Sequence, residues 1–381
     1  RVEKFYLFFN PWFSLWKKKI GETEYGLGWV PFGGYVKIAG MIDESMDKEQ
    51  LKLPAEPYEF RSKPAWQRLI IMIGGVVVNI ILAIVLFIFI SYKWGDTYIP
   101  IENLKYGVYA DSLALKTGVK DGDIIVAVAG KPIERVGTVG LEMISNEARE
   151  ITALRNGERI NLKVPAGVVG QMNKNRGGGF SYVRVPMILD SIADFAKITG
   201  GILQKGDTLI NFAGKSVRFN TDIRYDSVPE NKTVALAFKR NNDTIHVNTY
   251  FDKEKGNGLF YESLDKILGS VKKEYSFSES IPAGLRNCWE TLTRYIQNIG
   301  NLFTSKEIKV NDSLGSILSI GNTFSGDLGD WQGFWKLTAI FSIILAFMNI
   351  LPIPALDGGH ALFCLFEMIT GRKPSDKFME Y

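Results

Sequence analysis

Leu69-Ile-Ile-Met-Ile-Gly-Gly-Val-Val-Val-Asn-Ile-Ile-Leu-Ala-Ile-Val-Leu-Phe-Ile-Phe-Ile-Ser-Tyr92 runs from end to end without a formal charge. As a helix it reaches about 36 Å, enough to cross a hydrocarbon core with some tilt. A soluble core helix of this length normally keeps a polar face, and this run has none. A second uncharged stretch goes from Leu337 to Leu356, and Asn349, Pro352 and Pro354 interrupt its end. The chain is therefore read as a membrane protein, with spanning helices expected over 69–92 and 334–357.

The flanks of these runs suggest an orientation. Arg61, Lys63 and Arg68 precede the first, and Arg372, Lys373 and Lys377 follow the second. Lys93, beyond the first run, is soon followed by Asp96 and Glu102, while Lys336 precedes the second. Basic residues near span ends favour the cytoplasm, so both ends of the chain are expected inside and the long insert outside. Composition excludes other classes. The net charge is +4 over 381 residues, which gives no footprint for nucleic acid. With 46 % apolar and 12 % aromatic residues the chain is not disordered. Two cysteines, Cys288 and Cys364, exclude a disulfide framework and a thiolate zinc site. Two histidines, His246 and His360, limit the metal chemistry these residues perform alone.

The insert contains a repeat. Gly122-Asp-Ile-Ile-Val-Ala-Val-Ala-Gly-Lys-Pro-Ile133 aligns without a gap on Gly206-Asp-Thr-Leu-Ile-Asn-Phe-Ala-Gly-Lys-Ser-Val217. The spacing of the two copies suits a duplicated small domain rather than a solenoid. Upstream, Ala110-Asp111 with Thr117-Gly118 is echoed by Ala193-Asp194 with Thr199-Gly200. Each Gly-Asp begins an alternating apolar strand, and Ala-Gly-Lys closes it with a turn. A helical pattern follows at Val139 to Ala148, then strand patterns at 159–164, 233–238 and 244–249. Gly118-Val-Lys-Asp-Gly-Asp-Ile-Ile-Val-Ala-Val-Ala-Gly130 resembles the signature of a PDZ domain, and the second copy departs at Thr208 and Asn211-Phe212. Two PDZ-like domains are expected, over 100–166 and 180–252. The resemblance implies that they bind extended peptide segments; a pair of spacers without a ligand is the alternative.

The segment ahead of the first span, 1–68, faces the membrane without crossing it. Phe5, Tyr6, Phe8, Phe9, Trp12, Phe13 and Trp16 precede Lys17-Lys-Lys19, and Asn10-Pro11 breaks the run. Aromatics beside lysines suit an interfacial segment. Gly26, Gly28, Gly33, Gly34 and Gly40 then punctuate strand-forming residues, as in a tight sheet or a plain interfacial hairpin. Farther on, 260–333 reads as an amphipathic helix and connector. Leu285, Trp289, Leu292, Ile296 and Ile299 recur there at helical spacing between Ile281 and Phe303, as a clamp, an interfacial helix or a simple connector.

Chemistry concentrates at Asn349-Ile-Leu-Pro-Ile-Pro-Ala-Leu-Asp-Gly-Gly-His360. The two prolines interrupt an apolar helix and free carbonyls that need partners. A carboxylate at membrane depth is by default functional, so Asp357 is a candidate metal ligand; its alternative role is to cap the helix that follows.

Together, Tyr25 to Gly40, Gly74-Gly-Val-Val-Val-Asn79 and Asn349-x-x-Pro-x-Pro-x-x-Asp-Gly-Gly-His360 resemble the bacterial site-2 protease family, intramembrane zinc metalloproteases of the regulator-of-sigma-E type. The resemblance implies a multi-pass α-helical membrane protein with a membrane-associated β-element at 1–68, two tandem PDZ-like α+β domains, and a cytoplasmic-side helix and loop at 358–381. It implies a zinc cofactor with Asp357 as one ligand. Asn349, Pro352 and Pro354 would face the extended substrate, Gly33 and Gly34 would belong to the re-entrant element presenting it, and Asn79 would line the catalytic interior. The implied partners are the lipid bilayer, a single-pass membrane protein substrate such as an anti-sigma factor, and peptides at the PDZ-like domains. The implied location is the bacterial inner membrane, with those domains periplasmic and filtering substrates.

The family also carries His-Glu-x-x-His, which supplies two zinc ligands and a glutamate general base; no such motif occurs in residues 1–381. The expectation is that a helix bearing it precedes Arg1, and that the family's last helix follows Tyr381. An inactive homologue, serving as a membrane-tethered PDZ scaffold, is the second reading. A transporter is the third, and the lack of inverted repeats of hydrophobic segments weighs against it.

Overall fold

The computed structural model describes residues 1–31, 33–41, 54, 56–175, 178–223, 230–309, 329–353 and 356–372. They form two compact units, one from Arg1–Leu86 with Trp335–Tyr381 and the other from Phe87–Phe334.

The first unit opens with a four-stranded sheet of β1 (Val2–Tyr6), β2 (Trp16–Ile20), β3 (Thr23–Leu27) and β4 (Tyr35–Ile38). The order is β2-β3-β1-β4, so among the described strands β4 lies at the edge, next to β1. β1 lies parallel to β3 and antiparallel to β4. The glycines read from the sequence permit this close packing. A Cβ at Gly28 would overlap the carbonyls of Phe8 and Phe9, and one at Gly34 those of Tyr6 and Leu7. Trp29 stacks on Phe13 at 5.6 Å and donates its Nε1 proton to the carbonyl of Pro11 at 2.9 Å. A sheet, rather than a lone hairpin, occupies the glycine-rich segment.

The same unit contains most of the long helix α1 (Ala65–Trp94), together with the helices Trp331–Ile350 and Asp357–Thr370. α1 and Trp331–Ile350 are each long and apolar enough to cross a membrane. The second ends at Ile350 rather than continuing to residue 357, because Pro352 cannot donate in a further turn. Within this unit Arg68 pairs with Glu367, both mostly shielded from solvent.

The second unit contains the duplication. In the first copy Ile124–Val128 pairs antiparallel with Glu150–Arg155, and that strand with Glu158–Lys163. In the second, Thr208–Phe212 pairs with Lys232–Arg240, and that strand with Asp243–Phe251. Both copies carry an irregularity at the same place, between Ile125 and Ala127 and between Leu209 and Asn211. The upstream echo fails: Asp111 caps a helix, Ser112–Lys116, whereas Thr199-Gly200 lies in a strand paired with Asn248 and Val247.

The domain boundaries also differ from the sequence reading. Ser181–Val183, expected in the second domain, pairs with Val108–Ala110 of the first. Helix Val168–Lys174 contributes Val168, Val169 and Met172 to the first core, which therefore extends beyond 166. The second copy extends past 252, because Leu259–Tyr261 pairs with Leu189–Ile192. These elements follow burial: the strand beginning at 181 is adjacent to Phe180, which is 2 % exposed in the first core.

Candidate active site

The Asn349 to His360 segment folds back on itself. After Ile350 the chain makes three short backbone bonds: Leu351 donates to Met348 at 3.2 Å, Ile353 to Leu351 at 2.7 Å, and Leu356 to Ile353 at 2.9 Å. Leu356, in an extended conformation, is the residue preceding the next helix. Asp357 is that helix's first residue and is half-buried. The capping role is thus corrected: Leu356 occupies the cap position, with no side-chain cap bond, and the Asp357 carboxylate is in the first turn. There it benefits from the positive end of the helix dipole.

Gly358 explains the glycine that follows. A Cβ there would overlap the backbone carbonyls of Ile350 and Leu351. Only a bare backbone lets the new helix begin directly against the end of the old one. Asp357 is therefore held beside the broken helix end by the residue next to it.

The other expected site residues lie in the same unit. Asn349 is half-buried in the last turn of its helix, and Pro352 is exposed in the loop; Pro354 lies outside the described residues. Gly33 accepts the Phe9 amide proton at 2.8 Å, and its φ of 139° is one that side chains rarely adopt. Gly34 directly precedes edge strand β4. Asn79, on α1, accepts a hydrogen bond at its backbone oxygen from Ser342 Oγ at 2.8 Å. Ser342 is seven residues before Asn349, so the two share a helix face about 10 Å apart along the axis. Ser342 was not anticipated; a hydroxyl in an apolar run was the available signal.

Two further pairs went unread. Asp123 accepts bonds from Arg155 at 2.8 and 2.7 Å, and Asp207 accepts from Arg240 at 2.7 Å through both oxygens. In each copy the arginine also donates to a loop carbonyl, of Gly118 or of Ile202. Burial pushes the Asp123 carboxyl up, yet the Arg155 guanidinium and the Lys120 amide outweigh it and leave it below its ordinary range. Arg240 holds Asp207 low likewise, against the opposing effect of burial. The signal was present, since Arg155 and Arg240 are separated by the repeat offset to within a single position. Each pair ties the last part of its own copy to the Gly-Asp turn.

The first copy also carries a partly open, mainly apolar pocket of about 380 Å³, lined by Ile101, Ile125, Val139, Leu141, Ile144 and Val183 among others. It lies between helix Val139–Ser145 and strand Ser181–Val183.

The sequence model of peptidase family M50 matches residues 1–381, the entire chain. The chain belongs to peptidase family M50. It is similar to the regulator of sigma-E protease RseP of Escherichia coli K12, with 25 % identity over 413 residues, 100 % of this chain and 87 % of that protein. The regulator of sigma E protease of Haemophilus influenzae is 22 % identical over 389 residues, 95 % of this chain and 83 % of that protein. A Treponema pallidum protein, named as a candidate zinc metalloprotease, is 23 % identical over 393 residues, 96 % of this chain and 85 % of its own length. Membership makes the chain a membrane metalloprotease, in keeping with its two long apolar helices.

A catalytic zinc site uses three protein ligands. The Asp357 carboxylate has the chemistry for one zinc position. Among the described residues no three His, Cys, Asp or Glu side chains gather to hold a metal ion. His360 turns its ring edge-on to Phe363, and His246 is exposed on a strand of the second repeat. Asp357 thus fits one position, and the described residues do not complete the site.

Proposed function

We propose that this M50 chain forms the body of an intramembrane zinc protease that cleaves a single-pass membrane protein after drawing part of it into an extended strand. The observation that carries the proposal is the placement of Asp357. A carboxylate begins a new helix where an apolar helix breaks, held there by the contact of Gly358 with Ile350 and Leu351.

In this reading Asp357 contributes one zinc ligand, and the remaining ligands and the general base come from a His-Glu-x-x-His segment outside residues 1–381. Zinc, when bound, supplies an acidified water and polarises a peptide carbonyl. The residues in hand position the substrate. Strand β4 lies at the edge of its sheet among the described residues and, with Gly33 and Gly34 before it, can accept an added strand through backbone bonds. Asn349 and Pro352 border the strand near the metal, a role the sequence motif extends to Pro354, and Asn79 lines the interior between the helices.

The duplicated domains serve as PDZ-like modules on the outer side of a bacterial inner membrane. An edge strand, Ser181–Val183, beside helix Val139–Ser145 and a mainly apolar pocket is the arrangement that such modules use to bind peptides. They admit substrates whose outer domain is already trimmed. The names of the sigma-E regulators among its relatives favour an anti-sigma factor as that substrate.

The test is cleavage of a transmembrane reporter by the whole protein in lipid, with Asp357→Asn beside the wild type. The reading expects no cleavage by the variant at unchanged thermal stability. Equal cleavage would remove Asp357 from the site.

A further inference from the structure

The helix Asp357–Thr370 ends with its apolar side chains outside and its charge inside. Leu365, Phe366, Met368 and Ile369 are exposed, whereas the Glu367 side chain is only 15 % exposed. That is the inverse of a helix in water and suits one whose outer face meets lipid. Cys364, one turn before Glu367, is buried as well. The Glu367 carboxylate accepts a hydrogen bond from a terminal guanidinium nitrogen of Arg68.

Arg68 is the fourth residue of α1 and directly precedes the uncharged run that starts at Leu69. Its side chain is 14 % exposed. The guanidinium has a second partner, because Nε donates to the carbonyl of Lys63 at 3.0 Å. The Arg68 amide donates to Pro64 at 3.2 Å, so backbone and side chain both hold the entry to α1.

Lys63 closes a compact segment. Phe60–Ser62 form a single helical turn, and the Lys63 amide donates to Phe60 at 3.1 Å. Ser62 Oγ donates to the carbonyl of Glu56 at 2.7 Å. The same turn is fastened to the sheet. The Phe60 amide donates at 2.8 Å to Ala39, the residue after β4. At Gly40, φ is 71° and a Cβ would lie 2.6 Å from Glu59 Cβ, so only glycine lets the two segments touch. Contacts thus lead from β4 to Lys63, and the two arms of Arg68 lead from Lys63 to the helix that begins at Asp357. All of these residues belong to the first unit.

On the reading that Asp357 ligates zinc and β4 receives the substrate, we infer that Arg68 is a positioning residue for the protease reaction. Its forked guanidinium fixes edge strand β4 relative to the helix that presents Asp357. That helix is held at its start by Gly358 and, ten residues after Asp357 or about 15 Å along the axis, by Glu367. Two anchors set its direction as well as its place. A shielded ion pair adds little stability over apolar packing of the same volume, whereas a planar fork of donors sets the spacing of what it joins. A misplacement of about 1 Å between substrate and reactive groups lowers turnover steeply. Lysine keeps the charge but has one nitrogen, which does not serve both partners in the same geometry.

The test assays the whole protein in lipid nanodiscs on a transmembrane reporter, for the wild type, Arg68→Lys, Glu367→Ala, Glu367→Gln and Asp357→Asn. Bound zinc is measured in the same samples, and kcat and KM are expressed per bound zinc. The expected result is a several-fold lower kcat in Arg68→Lys and Glu367→Ala at wild-type zinc content, because Gly358 still pins the start of the helix. Glutamine keeps an acceptor at the same reach, so Glu367→Gln should recover most of the turnover that Glu367→Ala loses. Fewer zinc-loaded molecules with an unchanged kcat per zinc in Arg68→Lys and Glu367→Ala would make the pair a structural tie and overturn the inference. A kcat in Glu367→Gln as low as in Glu367→Ala overturns it too. Asp357→Asn separates the two levels. If it is inactive while Arg68→Lys and Glu367→Ala turn over normally, the positioning role alone falls. Cleavage by Asp357→Asn at the wild-type rate removes Asp357 from the site, and the role of Arg68 falls with it.

Discussion

Ser342 donates its Oγ proton to the backbone oxygen of Asn79 at 2.8 Å, and Ser342 is only 4 % exposed. One bond thus joins the two apolar helices of the first unit, two turns from the broken end that carries Asn349. Ser342→Ala removes the donor and leaves a buried carbonyl whose own helix bond remains. The expected loss is about 0.5–1.5 kcal/mol, with a matching fall in activity from a looser helix pair. Thermal unfolding in nanodiscs measures the first and a reporter cleavage assay the second.

Gly358→Ala is predicted to be far more damaging than its single methyl suggests. The added Cβ meets the backbone carbonyls of Ile350 and Leu351, which cannot swing aside like a side chain. Overpacking of this kind destabilises by about 1–3 kcal/mol and displaces Asp357 from the helix end. Gly74→Ala is the control, because nothing described lies within 4 Å of a Cβ built there. Cleavage assays and thermal scans should separate the two variants.

In the second repeat, Arg240→Met leaves Asp207, 1 % exposed, without its charge partner. The aspartate is then left buried without its partner, so the copy is predicted to be destabilised, and the same is predicted for Arg155→Met in the first repeat. Hydrogen exchange of the Thr208–Phe212 and Ile124–Val128 amides reads each copy separately. Loss of protection in both copies from either single substitution would contradict the independence of the two cores.

Acid sensitivity follows from the same pairs. Arg240 depresses the Asp207 carboxyl below its unfolded value of about 3.9. The stabilisation is therefore fully present above that pH and is lost as pH falls through the lower folded value. Protection of the Thr208–Phe212 amides should hold to about pH 4 and fall below it. In Arg240→Met the same amides should already be weakly protected at neutral pH.

Much of this fold was legible because its signals are local. The uncharged run ending at Tyr92 announced α1, and the prolines after Asn349 announced the break, since each acts through its own backbone. Gly28 and Gly34 announced close strand packing in the same way. What escaped depends on partners distant in sequence. Nothing in Ser181-Tyr-Val183 says that it pairs with Val108–Ala110 rather than with its neighbours downstream. Arg155 and Arg240 look like surface cations until the buried aspartates of the Gly-Asp turns are seen beneath them. Asp357 was recognised as chemical from sequence, but its position at the start of a helix, rather than as its cap, depended on how Gly358 packs.

The most direct measurement is the zinc content of the whole protein, by elemental analysis after extensive dialysis, for the wild type and for Asp357→Asn. Asparagine keeps the shape and the first-turn position but removes the anionic ligand. Close to one zinc per wild-type chain is expected, with a several-fold lower occupancy in the variant, both being folded by thermal scan. Equal zinc in the two proteins would contradict the assignment of Asp357 to the metal centre.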